Sequence, residues 1–124
     1  MSDVFADTYY FIALVGPDGV ERQRAVAATV NRAGRLITTA WIMTGLANFL
    51  HRVADRPAFL RIYHTLLNDG DVVILEPEPR LFQKGIALYE NRPDKEWSLT
   101  DCISFIAMEE MGIDDALTGD HHFE

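Results

Sequence analysis

Hydrophobic positions along the chain fall into short apolar runs separated by longer stretches with helical spacing. Val4 to Ala6 is a brief apolar run, followed by a helical turn through Tyr10, Phe11 and Leu14 and then a turn at Gly16-Pro17-Asp18-Gly19. A helix is predicted from about Val20 to Arg32, stopped by the segment from Asn31 to Gly34. Arg35 to Thr38 reads as a second strand, with Thr39 placed to cap the long helix after it. On that helix Ile42, Leu46, Phe49 and Val53 recur at helical spacing as a core stripe. Pro57 marks a break, and a further helix runs to about Leu67, where Asn68-Asp69-Gly70 ends it. Val72 to Leu75 is β-branched and uninterrupted, the pattern of a fully buried strand. The remainder reads as a helix from Pro79 to Tyr89, a loop from Asn91 to Trp97, a helix from Leu99 to Met111 and a fourth strand from Ala116 to Thr118.

Strands that alternate with helices require right-handed crossovers, hence a parallel sheet with helices on both faces, an α/β/α three-layer architecture. Ligands of such sheets bind beyond the carboxyl ends of the strands, near the topological switch point. Asp7 directly follows the first strand, and Asp120 follows the fourth after one glycine. Asp101 stands in Ser98-Leu99-Thr100-Asp101, which also reads as a capping box with Asp in place of Glu. Taken singly, each aspartate reads as a cap or an ordinary loop residue. Gathered at one sheet edge, the carboxylates would repel, and one or more would take up a proton unless a cation neutralised them. Mg2+ or Mn2+ suits this donor set, being hard ions that accept carboxylate oxygens and keep several waters. Such an ion polarises a phosphoryl oxygen and acidifies a water, which points to metal-assisted phosphodiester hydrolysis.

Size and charge narrow the reading. At 124 residues, 48% of them hydrophobic, one domain spanning residues 1–124 is expected. No repeat, low-complexity tract or linker-like stretch interrupts it. A formal charge of -8 argues against binding nucleic acid by bulk electrostatics, so an RNA role needs positive charge from a bound cation or a basic partner. An acidic surface also serves solubility alone. Cys102 is the sole cysteine, which excludes an intrachain disulfide and a cysteine-built zinc site. With no secretory pattern at the start and no membrane-length apolar run, a cytoplasmic location without membrane contact is expected.

Three blocks, VFADTYYFIAL, LITTAWIMTGLANFLHR and SLTDCISFIAMEEMGIDDALTGDHHFE, resemble the motif blocks of PIN-domain ribonucleases, and in particular VapC-like toxins of bacterial toxin-antitoxin systems. The resemblance spans nearly the whole chain, and the last block, with its T-D pair and T-G-D-x-H-F ending, is the most specific. It implies a PIN-like fold with a central parallel sheet and a Mg2+ or Mn2+ site of about four acidic residues. It also implies single-stranded RNA as substrate and a cognate antitoxin as partner. Carried over by position, Asp7, Asp101 and Asp120 are the ligands or their immediate supports.

Two departures from the family pattern alter these expectations. Where the middle block normally carries a glutamate, this chain has Gly45 after Thr44, which implies impaired activity, whether by natural loss or by mutation. Close backbone packing is the structural alternative for that glycine. The family also continues past H-F-E into another strand, so the expected sheet lacks its final edge strand, and an uncovered edge favours a homodimer or larger assembly. Asn48 and Arg52 follow Gly45 by three and seven residues and would share its helix face, where Arg52 could hold an RNA phosphate. Thr8 and Ser104 could add hydroxyl contacts, although Thr8 also reads as a local cap. His121 and His122 are adjacent and cannot easily face one ion together. Cys102 reads as a small buried side chain, and Tyr9, Tyr10 and Phe11 fit core packing or a dimer surface. Trp41 and Trp97 fit packing as well as base stacking. The rival function is a non-catalytic PIN-fold module that binds an antitoxin or itself.

Overall fold

The structure, a computed structural model, describes residues 2–117. Four strands, β1 (Val4–Ala6), β2 (Leu36–Thr39), β3 (Val72–Leu75) and β4 (Asp115–Leu117), form one sheet in the order β3-β2-β1-β4. Every pairing is parallel, with Val4 opposite both Leu36 and Asp115, and Leu36 opposite Val72. Among the described residues six helices connect the strands: α1 (Thr8–Val15), α2 (Val20–Asn31), α3 (Ala40–Phe49), α4 (Arg56–Leu67), α5 (Pro79–Asn91) and α6 (Leu99–Met111). The result is the expected three-layer α/β/α arrangement around a parallel sheet. No helix among the described residues is long and apolar enough to cross a membrane.

The core lies where β1 and β2 meet α1 and α3. Phe5, Tyr10, Phe11, Leu36, Ile37, Ile42 and Leu46 are buried together there. Removing these side chains from water is the main favourable contribution, roughly 1.5 to 3 kcal/mol for each large one. Helix α1 is tied to α2 through the Tyr10 hydroxyl, which meets the hydroxyl of Thr29. Burial pushes the Tyr10 pKa above its ordinary value, so the phenol stays a neutral partner.

Three expectations require correction. The VVIL strand is not fully buried; all four residues are partly exposed because β3 lies at the sheet edge. Helix α3 stops at Phe49 and is capped by Leu50, so the apolar stripe ends earlier than its spacing suggests. Ile42 and Leu46 are fully buried, whereas Phe49 is 56% and Val53 82% exposed. Helix α5 extends to Asn91 and takes in the start of the expected loop. Between α5 and α6 the packing is close enough that a β-carbon on Gly85 would stand 2.4 Å from Cγ1 of Ile103. Glycine is required there by proximity.

Candidate metal centre

The sheet order fixes where a site can form. From β1 the chain proceeds outward through β2 and β3, and β4 then returns to the other side of β1. The switch point therefore lies between β1 and β4, and the first residue beyond the carboxyl end of β1 is Asp7. The backbone N–H of Asp7 donates to the Leu117 carbonyl at 3.3 Å, extending the β1-β4 ladder to the aspartate itself. On the other flank the Thr38 hydroxyl donates to the Ala6 carbonyl at 2.9 Å. The residue before Asp7 is thus held from both neighbouring strands. Nothing in the spacing of Thr38 announced this role; its signal is a hydroxyl within a fully buried strand.

Asp7 is only 3% exposed. It is also the N-cap of α1, with Oδ1 accepting the backbone N–H of Tyr10 at 3.0 Å. A buried carboxylate is tolerated there because the first turn of a helix presents unpaired N–H groups and a partial positive charge. Thr39 plays the matching part at the end of β2, capping α3 through the N–H of Ile42. Two adjacent strands therefore pass directly into helix starts at the same edge.

Asp101 occupies the third position of α6 in a complete capping box. Its N–H donates to the Ser98 hydroxyl and its Oδ2 accepts the Ser98 N–H, each at 3.0 Å. The neighbouring Cys102 and Ser104 are buried. Burial first, and then the nearby Asp101 charge, pushes the Cys102 thiol above its ordinary value, so it is protonated at neutral pH and offers no thiolate to a soft metal. Asp120, His121 and His122 lie outside the described residues. Among the described residues no three His, Cys, Asp or Glu side chains converge to hold an ion. Carboxylate oxygen, the donor type that Asp7 and Asp101 carry, is the type that hard divalent ions accept.

Gly45 lies on α3 against the start of α1: a β-carbon there would be 3.4 Å from Thr8 Oγ1. Position 45 and the residue after Asp7 are therefore neighbours. Asn48 and Arg52 are not brought to that contact. Asn48 is exposed in the last turn of α3 and lines a groove with His51, Arg56 and Phe59. Arg52 lies past the helix end, so it does not share a helix face with Gly45, and it lines a different groove with the turn between α1 and α2. Tyr10 and Phe11 belong to the core, while Tyr9 is exposed. Trp41 stacks on Phe82 and Trp97 packs edge-on against Phe105.

No protein-family model matches the chain, and no curated protein matches its sequence. Among solved structures it is similar to VapC20 of Mycobacterium tuberculosis, a sarcin-ricin loop cleaving toxin, with a TM-score of 0.87 and 20% identity over 97% of this chain and 92% of that one. An identity that low carries the fold rather than the chemistry. The architecture, a four-stranded parallel sheet with helices on both faces, is that of a PIN-like fold.

Proposed function

We propose that the chain is a metal-dependent PIN-type endoribonuclease, the toxin of a toxin-antitoxin pair, impaired by glycine at position 45. The observation that carries this reading is Asp7, a carboxylate buried at the end of the central strand, at the switch point of a fold shared with an RNA-loop-cleaving toxin. Asp7, Asp101 and Asp120 would hold Mg2+ or Mn2+. When bound, the ion supplies charge to polarise a phosphoryl oxygen and to acidify a water. The placement of Asp101 is supported by connectivity. Helix α6 returns to β4 through a short connection, so it runs against the strands and its first turn points to their carboxyl edge.

The chain's own residues hold and orient. The caps at Asp7 and Asp101 fix both carboxylates to helix starts, and Thr38 steadies the strand end beneath Asp7. Thr8 borders the site beside position 45, where the family pattern calls for a fourth acid. The expected setting is one folded domain in the cytoplasm, with an antitoxin as partner and self-association through sheet edges such as β3, which sedimentation would register as a dimer or larger species.

A second reading is supported by Gly45 together with the two caps, since Asp7 and Asp101 both have structural work without metal. On that reading the chain is a non-catalytic PIN module that binds an antitoxin or itself. Calorimetric titration with Mn2+ and cleavage of a mixed RNA pool, with Asp7→Asn beside the parent, separate the two. Mn2+ binding and residual cleavage that both vanish in Asp7→Asn support the nuclease. Absence of Mn2+ binding by the parent removes it.

A further inference from the structure

At its carboxyl edge the sheet divides. The register of β1 with β2 ends at Phe5 opposite Ile37, whereas β1 continues with β4 through Ala6 opposite Leu117, and β2 continues with β3 through Thr39 opposite Leu75. A seam therefore opens between β1 and β2 where each passes into a helix, β1 into α1 at Asp7 and β2 into α3 at Thr39. The Thr38 hydroxyl reaches across that seam and donates to the Ala6 carbonyl at 2.9 Å. Thr38 is fully buried, and a valine would suit the strand and the packing equally well without the cost of taking a hydroxyl out of water. What the hydroxyl contributes must therefore lie in the bond it makes.

The Ala6 carbonyl and the Asp7 N–H belong to one peptide group, which is planar and stiff. Thr38 holds its oxygen from the β2 side, and the Leu117 carbonyl accepts its N–H at 3.3 Å from the β4 side. Beyond this pinned plane the Asp7 carboxyl is fixed again, since its Oδ1 accepts the Tyr10 N–H at 3.0 Å. Of these three partners Leu117 and Tyr10 act through backbone groups, and Thr38 alone acts through a side chain. We propose that Thr38 is a positioning residue for the Asp7 carboxylate: its hydroxyl spans the seam, holds the Ala6-Asp7 peptide in place and so sets the direction in which Asp7 offers its oxygens to a divalent ion. The inference deepens the nuclease reading, on which it rests for the ion, while the pinning of Asp7 is a property of the metal-free chain.

Three variants test it. Thr38→Val keeps the shape of the side chain and removes the donor, Thr38→Ser keeps the donor, and Ile37→Val trims the adjacent, fully buried residue of the same strand as a control for packing. Each is read by amide hydrogen exchange without metal and by calorimetric titration with Mn2+. In Thr38→Val the Asp7 and Tyr10 amides should exchange roughly 2- to 10-fold faster relative to the core amide of Leu46, the factor expected for one net hydrogen bond. Its Mn2+ affinity should fall about 10- to 100-fold, as when an outer support of a metal ligand is removed. Thr38→Ser should match the parent in both readings. Ile37→Val should speed all three amides alike and leave Mn2+ affinity unchanged, which is also what a merely structural role of Thr38 would produce. Circular dichroism establishes that each variant is folded, and Thr38→Ala is read in place of a valine variant that is not. Where the parent binds Mn2+, equal affinity in folded Thr38→Val, or an equal fall in Ile37→Val, overturns the positioning role. A parent that binds no Mn2+ removes the nuclease reading instead; exchange quickened selectively at Asp7 and Tyr10 then supports the positioning of the carboxylate, and uniform exchange overturns it.

Discussion

A β-carbon on Gly45 would stand 3.4 Å from Oγ1 and 3.7 Å from Cγ2 of Thr8, so position 45 adjoins the residue that follows Asp7. These are ordinary contact distances, and the helix can accept a side chain there without moving its neighbours. Gly45→Ala should therefore stabilise the protein by about 0.5 to 1 kcal/mol, the usual gain at a helix interior, measured by denaturant unfolding.

Gly45→Glu tests the missing acid. An added carboxylate beside Thr8 should raise Mn2+ affinity and metal-dependent RNA cleavage by about 10- to 100-fold or more, since even an indirect support of a metal site is worth that much. Without metal, repulsion among carboxylates should offset the helical gain. Gly45, Gly45→Glu and Gly45→Gln proteins compared side by side decide it: equal affinity and equal inactivity in all three would mean that position 45 does not serve the site.

Asp7 has two roles that substitution can separate. Asparagine caps helices as well as aspartate does, so Asp7→Asn should keep the Tyr10 N–H satisfied and unfold near the parent midpoint while losing Mn2+ binding. Asp7→Ala should lose the metal and also about 1 kcal/mol of stability. Calorimetry with Mn2+ and urea unfolding on the three proteins provide the comparison. Metal affinity retained in Asp7→Asn would leave Asp7 a cap only.

Gly85 behaves oppositely to Gly45. A β-carbon there meets Ile103 at 2.4 Å from Cγ1 and 3.2 Å from Cα, and the backbone atom cannot give way as a side chain can. Gly85→Ala should destabilise by about 1 to 3 kcal/mol despite its better helix propensity, read as a lower urea midpoint. A midpoint equal to or above the parent's would show that α5 and α6 can separate freely.

Acid should loosen surface pairings in a defined direction. The Arg35 guanidinium holds the Asp3 carboxyl below its ordinary value of 3.8, and Arg80 with Lys84 holds Glu110 below 4.5. Carboxyls depressed in the folded state contribute stability that is present above the ordinary value and is lost as pH falls through the folded one. The loss therefore lies below about pH 4, and Asp3→Asn should flatten that limb of a stability-pH curve without altering the neutral plateau's slope. Both carboxyls lie at the surface, so the effect is modest and shrinks with added salt.

Much of this was readable from residue order. Four short apolar runs became four strands, Thr39 and Ser98 became caps, and the alternation of strand and helix forced the parallel sheet. Position along a strand does not report position across a sheet, which is why Val72–Leu75 looked central and proved to be an edge. Apolar periodicity continued through Phe49 and Val53 after the helix had turned away at Leu50, because no glycine or proline marks the end. Arg52 was misplaced by the same extrapolation. Asp7 and Asp101 were legible as caps and as acids together, and both caps are present; Asp120 lies outside the described residues.

The pairing of Val4 with Asp115 joins the beginning of the described chain to its end. During synthesis β1, α1 and β2 can assemble early, but one side of β1 stays without its partner until Asp115–Leu117 has been made, at a translation rate of roughly 5 to 20 residues per second. Among the described strands, the β1–β4 pairing that carries Asp7 is thus the last to form. A nascent chain waiting in that state presents an open strand next to a buried acid, a window in which a partner can engage the protein before its carboxylate edge is complete.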